Sequence, residues 1–127
     1  MEILIAFLIV YTNISHSIPE NEIDIEKIYI GSAINFDRPA EVNFQKIVDN
    51  SPEKKEIVRK NIESNTGKYW ILLSQATDTA RRALENTASE KNYDFVSQKG
   101  YLNSLTKPIS VPNITDFVLE KLEENDK

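Results

Sequence analysis

Apolar residues open the chain as one unbroken run, Ile3 to Tyr11, and only afterwards spread into periodic patterns. That run is too short for a transmembrane helix, which needs ~20 apolar residues, and it fits the ~7–15-residue core of a secretory signal. Polar residues follow, and Ser15 and Ser17 put small side chains at both positions that a signal peptidase must accommodate. Cleavage is therefore expected after Ser17, dividing the chain into a signal peptide, residues 1–17, and a single domain, residues 18–127. Met1-Glu2 supplies no basic residue ahead of the run, and the competing readings are a buried strand or an anchor that stays in the membrane.

Beyond the leader Ile18 to Asp24, the β-branched residues Ile23, Ile25, Ile28 and Ile30 cluster, and Lys27 to Ile34 predicts a strand. Asn35-Phe36-Asp37-Arg38-Pro39 ends it, and a helix is expected from near Ala40, with Phe44, Ile47 and Val48 at i, i+3, i+4. Ser51 can cap the next helix, and Pro52 is tolerated in its first turn, where the missing N–H would have no partner. That helix carries Ile57, Val58 and Ile62 to a stop at Asn65-Thr66-Gly67.

From Lys68 to Lys91, the residues Tyr69, Leu72, Leu73, Ala76, Ala80, Ala83, Leu84 and Thr87 form one stripe at the helical period. Residues 41–63 and 69–91 thus predict an antiparallel hairpin spanning about 41–91. Its arms would be ~35 Å long at ~1.5 Å per residue, the first of them kinked or split at Pro52. Tyr93-Asp94-Phe95-Val96 reads as a second strand reaching Lys99-Gly100, with Tyr101-Leu102 continuing past a turn or bulge. Thr106 to Pro112 is a loop, and Asn113 or Thr115 caps a final helix from Asp116 to about Glu124. The expected fold class is α+β: a small β-sheet head with a protruding antiparallel helical hairpin and a C-terminal helix.

Composition narrows the chemistry. The 127 residues include no cysteine and one histidine, His16, so disulfides, thiolate nucleophiles and zinc–cysteine sites are excluded. Loss of residues 1–17 would also remove His16, and it would take one acid, Glu2, and no base, moving the net charge from −5 to −4. No carboxylate pair stands out from a solvated face. The expectation is therefore a binding protein and not an enzyme, with no catalytic residues, no cofactor and no metal site. An acidic chain has no general electrostatic reason to bind nucleic acid, and no small-molecule substrate is indicated. Thr66-Gly67-Lys68 lacks the first glycine and the Ser or Thr of a phosphate loop.

Three stretches, taken in order, resemble the Skp/OmpH family of periplasmic chaperones. Lys27-Ile28-Tyr29-Ile30, followed by Phe44 to Ser51-Pro52-Glu53, is similar to the family's first strand, short helix and step into its long helix. Tyr93-Asp94-Phe95-Val96 is similar to the strand after the helical arm, and Ile114-Thr115-Asp116-Phe117-Val118-Leu119 to the start of the last helix. The resemblance implies a head that trimerises through its sheet and helical arms that hold unfolded outer-membrane proteins in the periplasm without ATP. The stretch from Pro52 to Tyr93 is shorter than the family's usual arm, which implies a shallow cavity.

Expected partners are accordingly unfolded or outer-membrane proteins and sister subunits of a homotrimer, in the periplasm or secreted after cleavage near Ser17. The alternative is an envelope structural or adaptor protein that oligomerises through its helical hairpin. Trp70 and Tyr69, beside the Gly67 turn, are the candidate client contacts, with Trp70 either exposed or lying as a cap over the loop. Ile28, Ile30, Phe95 and Val96 are the candidate oligomer interface. The stripe from Tyr69 to Leu84 is expected to pack inside its own hairpin or on a sister subunit, and Arg81-Arg82 to pair with Asp78 or Glu85.

Overall fold

A computed structural model of the chain describes residues 15–125, so the apolar run Ile3 to Tyr11 lies outside the described residues. The fold is α+β. Three strands, β1 (Ile28–Ile30), β2 (Pro39–Val42) and β3 (Phe95–Gln98), form one sheet in the order β1-β3-β2. Among the described residues four α-helices accompany it: α1 (Phe44–Asp49), α2 (Pro52–Arg59), α3 (Gly67–Glu90) and α4 (Thr115–Asn125). β3 runs antiparallel to β1 and parallel to β2, with Ala40 opposite Val96. Helices α1 to α3 make the crossover that a parallel β2–β3 pair requires.

The helical starts are fixed by short polar side chains. Asn43 Oδ1 accepts from the Lys46 N–H at 3.2 Å, Ser51 Oγ from Lys54 at 3.2 Å, and Thr66 Oγ1 from Tyr69 at 3.2 Å. Ser51 is fully buried and also donates to the Val48 carbonyl at 2.7 Å, so one hydroxyl closes α1 and opens α2. Asparagines in the left-handed region end α2 and α3: Asn61 has φ +52° and Asn92 φ +62°. After each, the next N–H returns to a carbonyl of the last turn, Ile62 to Ile57 at 3.0 Å and Tyr93 to Ala88 at 2.9 Å.

The sheet separates two apolar clusters. On the helical side, Ala40, Val42 and Val96 pack with Ile47 and Val48 of α1, the alanines and Leu84 of α3, and Val118 and Leu122 of α4. The alanines let α4 approach α3 closely. On the other side, Phe36 lies on Phe95, ring centroids 4.1 Å apart, among Ile18, Tyr101, Leu102 and Leu105.

Several expectations are corrected. The helix expected from near Ala40 is strand β2, because Ala40 and Val42 alternate inward beside β3 and Asn43 caps a helix that begins only at Phe44. The first hairpin arm is split at Ser51-Pro52 as expected, but it stops at Asn61, well before Asn65. α2, with 8 residues, spans ~12 Å, against ~36 Å for the 24 residues of α3. β1 ends at Ile30 because Gly31 takes φ +93°, and Tyr101-Leu102 enters a 3-10 turn instead of extending β3. The leader is not wholly polar: Ile18 is buried in the second cluster, and Ile23 packs against it.

Candidate functional site

The end of α2 and the start of α3 flank one turn, residues 60–66, and together make the tip of the hairpin. Because α2 is short, the first turns of α3 are only partly covered among the described residues. Full burial along α3 begins only at Ala76. Trp70 is 60% exposed, Ile71 61% and Val58 66%, while Tyr69, Leu72 and Leu73 are half-buried. Tyr69 and Trp70 pack edge to face with centroids 5.2 Å apart, which holds the indole beside the turn while leaving most of it in solvent.

The tip is also basic within an acidic chain. Residues 53–68 carry five basic side chains and three acidic ones, while the whole chain has net charge −5. Glu56 takes Arg59 at 4.0 Å and Lys60 at 3.9 Å, contacts that are solvent-exposed and weak. An exposed aromatic followed by an exposed isoleucine, on a stretch of chain with more bases than acids, can take up apolar and acidic segments of another polypeptide without reading a sequence.

Other candidate residues are distributed differently. Phe95 and Val96 are fully buried in the central strand, one in each apolar cluster. Ile28 and Ile30 are half-buried on β1, and an irregular register between them sends Ile28 to the second cluster and Ile30 to the first. They do not form one shared patch. The outer edge of β2 is covered by the stretch Pro112–Ile114, where Glu41 N–H donates to Pro112 O and Ile114 N–H to Glu41 O, both at 2.9 Å. Among the described residues no strand pairs with the outer edge of β1, and Ile25, in the turn that leads into β1, is 79% exposed.

Val58, expected with Ile57 and Ile62 on the packing side of its helix, is instead exposed, because only Ile57 of the three is buried, and Ile71 escaped the reading of the sequence. Ile71 sits almost opposite Ala76 and Ala80 on a helical wheel, so its phase alone marks it as off the buried stripe. Arg81 meets Asp78 at 3.8 Å, and Asn113 Oδ1 accepts from the Thr115 N–H at 3.0 Å, as the sequence suggests for both.

Elsewhere, an open depression of about 440 Å³ lies beside the stacked rings of Tyr29 and Phe44, bordered by Asn43, Gln45, Gln98 and Lys99. Burial pushes the Tyr29 hydroxyl above its usual pKa. Among the described residues no three His, Asp or Glu side chains converge as metal ligands, and no helix is long and apolar enough to cross a membrane. Compared with protein families, with characterised proteins and with solved structures, the chain matches none.

Proposed function

We propose that this protein is an exported, ATP-independent holdase that binds unfolded polypeptides, outer-membrane proteins among them, as a homotrimer of the Skp/OmpH kind. The observation that carries this reading is the uncovered hairpin tip. Burying a side chain such as Trp70 or Ile71 is worth roughly 1.5–3 kcal/mol, and the subunit leaves much of that gain untaken at Trp70, Ile71 and Val58. A holdase spends it on clients, through weak contacts repeated over several arms.

The resemblance carried by Lys27 to Ile30, Phe44 to Glu53, Tyr93 to Val96 and Ile114 to Leu119 supports the same reading, as does the export expected from Ile3 to Ser17. An envelope scaffold that only oligomerises would instead cover its tip with a fixed partner. The test is light scattering from a urea-unfolded outer-membrane barrel diluted into buffer. A holdase at several-fold excess suppresses the scattering without ATP, and a scaffold leaves it unchanged.

A further inference from the structure

The extended residues just before Ile18 occupy a slot on the second apolar cluster. His16 and Phe36 exchange both backbone hydrogen bonds, His16 N–H to Phe36 O at 2.6 Å and Phe36 N–H to His16 O at 3.0 Å. The imidazole stacks on the Phe36 ring, centroids 5.5 Å apart and planes 26° from parallel. The Ser15 hydroxyl lies 2.8 Å from Asn35 Oδ1 and 2.7 Å from Asp37 Oδ1. Ile18 follows as a fixed point, its N–H donating to Ala33 O at 2.8 Å and its side chain 2% exposed. None of the contacts made by Ser15–Ser17 demands this sequence. The backbone pair is indifferent to side chain, and any flat ring can lie on Phe36.

We propose that this slot is a docking site for an extended segment of a non-native polypeptide bearing an aromatic residue, and that Ser15–Ser17 close it until they are cut away. The inference rests on the proposed loss of residues 1–17 and deepens the polypeptide-binding reading. Cleavage after Ser17 frees the Phe36 N–H and C=O at an edge and uncovers a ring that is now 1% exposed. Ile18 stays behind, because its side chain is seated among Phe36, Phe95, Tyr101, Leu102 and Leu105. What opens is therefore a short strand edge beside an aromatic platform, on a cluster that remains packed. The strands of outer-membrane barrels, alternating in polarity and rich in aromatics near their ends, have the matching form.

The chain beginning at Ile18 keeps both apolar clusters and the whole three-stranded sheet; of the described contacts it loses the His16–Phe36 bridge and ring stack and the hydrogen bonds of Ser15, so the packed core that holds the fold remains on its own residues. A second open form is the full chain carrying His16→Pro, which has no N–H to give Phe36 O. The probe is the pentapeptide of residues 13–17, Asn-Ile-Ser-His-Ser, together with versions holding Phe or Gly in place of the histidine. The readout is the amide resonances of Asn35, Phe36 and Asp37. Both open forms should show these resonances move, most strongly for the Phe peptide and not for the Gly peptide. In the unsubstituted full chain the tethered segment competes at an effective concentration of about 1 mM or more, so the peptide should bind at least ~10-fold more weakly. No movement at Phe36 in the open forms, or equal binding by the unsubstituted chain, overturns the proposal. Aggregation suppression in the same samples speaks to the holdase alone. Suppression without movement at Phe36 removes the slot and leaves the holdase standing, while peptide binding without suppression keeps the slot and removes the holdase.

Discussion

A β-carbon at Gly31 would stand 2.2 Å from the carbonyl oxygen of Asp94. The contact cannot relax easily, because the Asp94 carboxylate accepts the N–H groups of Asp37 and Arg38, each at 2.8 Å, and so ties the chain entering β3 to the chain entering β2. Gly31 also has φ +93°, a region that side-chain-bearing residues avoid. Gly31→Ala should therefore cost at least ~2 kcal/mol, read as a lower urea midpoint at unchanged slope. A cost under ~0.5 kcal/mol would mean that the turn after β1 is free to move away from Asp94.

Assembly through the open edge of β1 predicts a trimeric mass by light scattering at micromolar concentration. Ile25, in the turn that leads into β1, is 79% exposed in the subunit. Ile25→Asp should then change subunit stability by no more than ~0.5 kcal/mol while shifting the mass toward monomer. A wild-type protein that is monomeric under these conditions contradicts the trimer.

The alkaline limb of stability should depend on two side chains. Lys121 joins Glu90 of α3 at 2.6 Å and Glu124 of its own helix at 2.9 Å, and these hydrogen bonds raise its pKa above 10.5. Burial raises Tyr29 above 10.0. In both, the folded state favours the protonated form, so the stabilisation is complete below the unfolded-state pKa and is lost as pH rises through the folded value. Urea midpoints should accordingly fall above pH 10, and Lys121→Met and Tyr29→Phe should each flatten part of that fall. Unchanged curves in both variants would show that other groups govern the alkaline limb.

Because Trp70 is 60% exposed, Trp70→Ala should alter folding stability by no more than ~1 kcal/mol. The same change should clearly weaken suppression of client aggregation. A loss of ~3 kcal/mol or more, with activity falling only as the protein unfolds, would mean that the indole is structural.

Local chemistry was legible in the sequence where one side chain decides the outcome. Ser51-Pro52 marked the start of α2, the alanine stripe marked the buried face of α3, and Asn113-Thr115 marked the cap of α4. The Pro39–Val42 strand was not legible, because its pairing partner β3 lies more than fifty residues away and a short apolar alternation fits either element. The stop at Asn61 was missed because asparagine signals a left-handed residue more weakly than the glycine at position 67. That early stop is also what leaves Trp70 uncovered, so the candidate residue could be named from the sequence but its exposure could not. The burial of Phe95 and Val96 within the subunit was not legible for a related reason. Alternation along a strand cannot reveal that both faces of the strand are covered within one subunit.

Trp70 is the single tryptophan of the chain, so its fluorescence reports on the proposed client surface without any label. The most direct measurement is its emission and its quenching by acrylamide while a urea-unfolded, tryptophan-free outer-membrane barrel is titrated in. Client binding at the hairpin tip should shift the emission to shorter wavelength and reduce the quenching, saturating at the same ratio that suppresses aggregation. An unchanged spectrum alongside full suppression would move the site away from Trp70. An unchanged spectrum with no suppression at several-fold excess would contradict the holdase itself.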